Sequence, residues 1–281
     1  MNTAVIDGGP SLRVVSETAL KAAARFWFVV AVAGQMIFAV AVATFYGRAT
    51  VRGDWKAWGR YVTHGFEPGD ATGNAALVLH VSSAVFIIAS GVIQLMPWVR
   101  RRAPAFHRWN GRLYLLTALT ISAAGLYIVW FRGSIGDLGQ HLGISLNAVL
   151  IVVCASFALR HAIARNIAVH RRWALRLFLV VSGVWFFRIG LMAWLIVNHG
   201  PVGFDMKTFQ GPFLTFLAFA QTLLPLAVLE LYLRTRDGAG VSGHFAMATG
   251  LVVLTFATAL GIFGATMGIF LPAILERPPS F

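Results

Sequence analysis

Cysteine is almost missing from this chain of 281 residues, where Cys154 stands alone. No internal disulfide can form, and a thiolate metal cluster is excluded. Acidic residues are scarce as well, 10 against 23 Lys and Arg, and charged residues make up only 12% of the chain. A Walker motif, a dinucleotide fingerprint and a Ser-centred elbow are all lacking in any credible setting. No nucleophile, base and acid fall together on one membrane face, which disfavours a hydrolase. What the chain has instead is apolar residues, 58% of the total.

Those residues are gathered into runs near the ~20 residues that cross a bilayer. Seven spans are expected, at about 24–46, 75–98, 112–131, 142–160, 173–197, 212–233 and 244–271. Lipid-facing backbone must satisfy its own hydrogen bonds, so each run is expected to be helical. Barrel strands are ~10 residues long with alternating polarity, and these runs are neither. The fold class is therefore all-α, a polytopic transmembrane bundle. The first run, from Phe26 to Tyr46, is long enough to remain as a span rather than act as a cleaved signal.

The net charge of +13 need not mean nucleic acid. With seven spans, fifteen of the Lys and Arg residues fall at one end of the bundle and seven at the other, with Arg188 inside a span. That bias predicts a cytoplasmic N-terminus and a C-terminus on the outer side. Lipid head groups account for the basic loops without a nucleic-acid partner.

Three regions are expected: 1–74 with the first span and an outer loop, 75–198 as a four-helix core, and 199–281 as two peripheral spans. The outer loop, about 47–74, should hold an interfacial helix or partial order. Pro104 suits the first turn of a helix. Pro225 should kink the sixth span. Gly264 and Gly268 form a small-xxx-small pair that allows a homodimer.

The core carries one pattern twice. His80 lies early in a span, and the segment His107-Arg108-Trp109-Asn110-Gly111-Arg112 opens the next. His141 heads the following span, and His170-Arg171-Arg172-Trp173 leads to Arg176. His80 and His141 are 61 positions apart, and His107 and His170 are 63. A duplicated two-helix unit gives this register and puts two histidines at each membrane face. His80 is expected to pair with His141, and His107 with His170. Paired imidazoles across a bundle are what haem iron accepts axially. The expected cofactor is haem b, one or two, serving electron transfer between an unnamed donor and acceptor.

Arg112 and Arg176, a turn or so beyond the inner histidines, are candidates to meet haem propionates. Arg188 is expected to face the bundle and meet an anionic partner, because an arginine at that depth costs about 2.5–3.5 kcal/mol. A second reading makes Arg188 the recognition group of a non-redox transporter or ligand-binding protein. In a third, the histidines are hydrogen-bonding glue or lipid anchors in a structural or assembly protein. His161 competes with His170 as a ligand, and His64, His199 and His244 are expected to be solvated.

The stretch from His80 to about Arg234 resembles an uncharacterised bacterial membrane-protein family, domain of unknown function 2306. The likeness rests on His80, on His107-Arg108-x-x-Gly111-Arg112-x-Tyr114 and on His170-x-x-Trp173-x-x-Arg176. It implies a membrane location and no activity. The order of the four histidines is also similar to the cytochrome b561 family. There, ligands on the first and third central helices bind one haem and those on the second and fourth bind another. This chain departs from that family in its flanking motifs, its additional span and the shallow position of His107 and His170.

Overall fold

The computed structural model describes residues 11–61 and 64–277. Residues 1–10 and 278–281, which include part of the expected N-terminal segment, lie outside it. The helices are α1 (Leu12–Val51), α2 (Ala71–Leu95), α3 (Pro97–Arg102), α4 (Pro104–Tyr127), α5 (Leu138–Ile163), α6 (Ile167–Val181), α7 (Gly183–Val197), α8 (Pro212–Gly238), α9 (Val241–Ala265) and α10 (Leu271–Ile274). π-helical turns continue α4 over Ile128–Gly133 and α9 over Thr266–Phe270. The outer loop carries a 3-10 helix, Trp55–Arg60.

Local chemistry explains where the helices start. The Asp70 carboxylate accepts the Gly73 N–H (2.8 Å), Asp137 accepts that of Gln140 (2.8 Å) and Asn166 that of Val169 (3.3 Å). Each cap answers a backbone donor that the first turn leaves free. Pro97, Pro104 and Pro212 stand at first positions, where the missing N–H costs nothing. α8 runs through Pro225 without ending.

Among the described residues six helices are long and apolar enough to span a membrane, and α6 with α7 makes a seventh that is bent by 54°. The sequence read 173–197 as one uninterrupted span. The break falls at Ser182-Gly183, a pair that loosens the helical ladder. Polar side chains meet the freed groups. Asn147 Nδ2 donates to the Val180 carbonyl (2.8 Å) and to Thr222 Oγ1 (2.7 Å). Gln35 Nε2 donates to Ser182 Oγ (3.0 Å), and that hydroxyl donates to the Phe178 carbonyl (2.8 Å).

α2 packs on α1 and α4, α4 on α5, and α5 on α6 and α8. α7 packs on α8 and α9, and α9 packs along α1. The C-terminal spans, expected at the periphery, thus touch α1, α5 and α7. Small residues allow the close approach, as lipid-embedded packing requires. A Cβ at Gly261 would run into the Ile189 carbonyl, and one at Gly264 would meet Met192 and Ile196. Gly264 and Gly268 are both buried within the chain. α7 of the same chain packs at Gly264, so the structure gives the expected homodimer through that face no support.

Candidate functional site

A cavity of about 60 Å³ opens beside the helix break, between α1, α2, α4, α6 and α7. Its polar lining comes from Gln35, His80, Tyr114, Ser182 and Trp185, and its apolar wall includes Phe38 and Ile87. Tyr114 and Trp185 are 6% and 2% exposed. Among the described residues, neither the Tyr114 hydroxyl nor the Trp185 Nε1–H has a hydrogen-bond partner. Buried donors are nearly always paired, so two orphans on one cavity call for an explanation.

Arg188 touches two residues of this wall, Phe38 and Val184. Its guanidinium lies 5.2 Å from the Phe38 ring centroid, and Nη1 donates to the Val184 carbonyl (3.2 Å). Among the described residues no carboxylate comes within 4.0 Å of it. The first turn of α7 supplies Val184 and Trp185 to the cavity wall, so a helix N-terminus adds a positive partial charge. Tyr114 and Trp185 keep unused donors here, while Gln35, His80 and Ser182 donate to Ser182, Ile121 and Phe178.

The histidines meet varied surroundings. The His80 ring lies against Gly125 of α4, with Nδ1 3.1 Å from the Ile121 carbonyl. A carbonyl only accepts, so Nδ1 carries the proton and Nε2 is left open. His141 packs edge-on against Trp130, with centroids 5.9 Å apart, and its buried Nε2 has no partner among the described residues. His141 opens α5 while His80 lies nine residues into α2, a difference in depth of roughly 9 Å. At the basic end, His170 Nδ1 donates to the Ala158 carbonyl (2.9 Å). His107 heads α4, and its own Nδ1 is buried without a partner among the described residues. His80 and His141 thus have separate neighbours. Among the described residues no three His, Cys, Asp or Glu side chains gather to hold a metal ion; an axial pair of imidazoles is not such a group.

Two of the candidate arginines have other company. Arg112 is exposed, its guanidinium 4.8 Å from the Trp109 ring centroid. Arg176 Nε donates to Glu230 (2.7 Å), and its guanidinium stacks 4.7 Å from Trp173. Glu230 thereby fills the anionic place that a propionate was expected to take. His244, expected in solvent, is 3% exposed; its Nδ1 lies 3.3 Å from Ser16 Oγ and its Nε2 3.2 Å from the Thr235 carbonyl. Packing of α9 along α1 encloses it. His64 is exposed, its Nδ1 2.8 Å from Glu67.

The sequence reading overlooked Arg132. Its side chain is 4% exposed. Nη1 donates to the Gly73 carbonyl (2.7 Å), and Nη2 donates to Asn74 Oδ1 (2.8 Å) and to the Gly65 carbonyl. Nε sits 3.2 Å from Asp70, close enough for ion pairing but not aligned for a hydrogen bond. Arg132 ties the end of α4 to the loop that caps α2.

Fold and site together describe a multi-pass helical membrane protein with a donor-lined cavity at a broken span. Residues 77–209 match the family described as "Predicted membrane protein (DUF2306)". The match takes in all four core histidines, the helix break and Arg188. No curated protein and no solved structure matches this chain.

Proposed function

We propose that the protein binds a small anion in the membrane interior, at the cavity beside the α6–α7 break, and acts as a transporter or binding protein for it. The observation that carries this reading is the pair of unmatched donors, Tyr114 and Trp185, on one space, with the guanidinium of Arg188 against Phe38 and Val184 of the same wall and no carboxylate within 4.0 Å of it among the described residues. An unpaired arginine at this depth is costly and is a functional-site signal. Discontinuous spans with a half-helix N-terminus facing an anion are a recurring transporter device. About 60 Å³ is several times the ~10–15 Å³ that admits one water, which leaves room for formate, acetate or nitrate. By the charge bias, the basic end faces the cytoplasm of a bacterial inner membrane.

The test is thermal unfolding of the protein in zwitterionic nanodiscs with increasing formate, acetate or nitrate. A saturable rise in Tm is expected, absent in Arg188→Gln and weaker in Tyr114→Phe. If no anion stabilises the wild type, or if Arg188→Gln responds equally, the reading fails.

A second reading, a b-type haem electron carrier, is favoured by the tautomers of His80 and His170. Each gives Nδ1–H to a carbonyl and keeps Nε2 free, as metal-ligating histidines do. The cavity at His80 is far too small for a porphyrin, so this reading rests on His107 and His170, which head α4 and α6 at the basic end. Bound haem would supply one-electron chemistry, and these two imidazoles would hold it. An absorption spectrum of protein from haem-replete cells decides: a Soret band lost in His170→Ala supports it, and colourless protein rejects it.

A further inference from the structure

Beside its unused donors, the cavity at the helix break keeps unused acceptors on Gln35 and His80, and the hydrogen-bond network fixes both. The Ser182 hydroxyl has a single hydrogen, which goes to the Phe178 carbonyl (2.8 Å). Toward Gln35, 3.0 Å away, Ser182 can therefore only accept. That turns the Gln35 Nε2–H to Ser182 and leaves Oε1 on the other side of the amide. The Ile121 carbonyl acts in the same way on His80, taking the Nδ1–H (3.1 Å) and leaving a lone pair on Nε2. Among the described residues no carboxylate stands within 4.0 Å of His80. An unpaired imidazolium inside a span is costly, so the neutral ring is the form that fits here.

Gln35 Oε1 and His80 Nε2 have no partner among the described residues, and neither is sealed away by packing. Gln35 is 2% exposed, so its free oxygen has no bulk water to turn to. It stands three residues before Phe38 on the same face of α1, and the Arg188 guanidinium lies against that ring. A buried acceptor left without a donor is unfavourable. An anion such as nitrate brings only further lone pairs. It satisfies Arg188 and the free donors, but it meets Gln35 and His80 acceptor to acceptor. Bicarbonate has the size and planar shape of nitrate and adds a hydroxyl hydrogen that these acceptors can take.

Resting on the anion reading above, we propose that Gln35 and His80 select the ligand of this site: a small oxyanion that carries its own hydroxyl, with bicarbonate as the simplest case. The charged oxygens meet Arg188, Tyr114 and Trp185, and the hydroxyl donates to His80 Nε2 or Gln35 Oε1. A neutral amide also supplies hydrogens, but it leaves the Arg188 charge unmatched. A site built to hydrogen-bond a ligand hydroxyl rejects the analogue that lacks it far more strongly than an apolar pocket resolves size.

The experiment titrates bicarbonate and nitrate separately into the full chain in zwitterionic nanodiscs, in closed cells at about pH 8, where free imidazole is neutral. The wild type is expected to bind bicarbonate at least about tenfold tighter than nitrate. The double variant Gln35→Met, His80→Asn removes both acceptors and keeps Arg188, Tyr114 and Trp185. Its preference should fall to within about twofold with nitrate affinity retained, and each single variant should show a smaller step. Tm without anion reports whether each variant is folded; should the double variant not fold, the wild-type ratio decides alone. Equal binding of the two anions by the wild type would overturn this inference and leave the anion site standing. Binding of neither would overturn the anion site and this inference with it. A preference that survives the double substitution, or a folded double variant that loses nitrate as well, would also overturn the assignment to Gln35 and His80.

Discussion

Arg132 and Arg188 are the same residue type, both placed in a helical membrane bundle, and their surroundings are opposite. Arg132 meets two carbonyls, an amide oxygen and the Asp70 carboxylate. Arg188 meets one carbonyl on its own helix and the face of a phenyl ring. The loop at Arg132 supplies oxygen acceptors, whereas the cavity near Arg188 is lined by donors, Tyr114 and Trp185 among them. A clasp needs every group satisfied to hold a structure together. A binding site needs groups left for something else to satisfy. The difference separates a residue that builds the fold from one held ready for a ligand.

Substitutions can break this contrast. The largest loss is expected for Arg132→Ala, which leaves the Gly73 and Gly65 carbonyls and Asn74 Oδ1 without this donor and frees the loop before α2. A loss of about 1–3 kcal/mol is expected, read by SDS or thermal unfolding. Arg188→Gln should behave the other way. Removing an unpaired interior charge relieves up to about 2.5–3.5 kcal/mol, so the anion-free protein should unfold at the same or a higher temperature. A large destabilisation of Arg188→Gln would make it a second clasp.

Asp137 gives an intermediate effect. It caps α5, and its carboxylate also accepts from Thr215 on α8 (2.9 Å). Asp137→Ala should cost about 0.5–2 kcal/mol. The bond from the Gln140 N–H, with Thr215 assisting, holds this carboxyl below its ordinary value of 3.8. A depressed folded pKa means that its contribution is fully present above the unfolded value and is lost as pH falls through the folded one. The stability difference between wild type and Asp137→Asn should therefore be flat at neutral pH and shrink only below about pH 4. The smallest effect belongs to Tyr114→Phe. Its hydroxyl has no partner to lose, so the anion-free Tm should stay level or rise slightly. A clear fall in Tm would reveal a structural bond to the hydroxyl.

Much of this molecule can be read from its sequence. Helical spans follow from apolar run length, and Pro104 and Asp137 mark starts by simple capping chemistry. Arg188 stands out because charge is rare inside apolar runs. What sequence could not show was distance between segments. His80 and His141 share a register in the duplicated pattern, but register does not set the direction of a ring, and packing turns His80 toward Ile121 and His141 toward Trp130. The break at Ser182-Gly183 had a legible signal in the Ser-Gly pair, masked by strong hydropathy on both sides. Arg176 was sought as a propionate partner while Glu230, 54 positions away, was the group that reached it. Tyr114 and Trp185 looked like ordinary membrane aromatics, and only the absence of partners around their polar atoms sets them apart.

The most direct measurement is an isothermal titration of formate into nanodisc-embedded wild type and Arg188→Gln under identical conditions. Saturable binding to the wild type, abolished by the single substitution in a protein that melts no earlier, is the expected result. No detectable heat with the wild type, or equal binding by both proteins, would contradict an anion site at the broken helix.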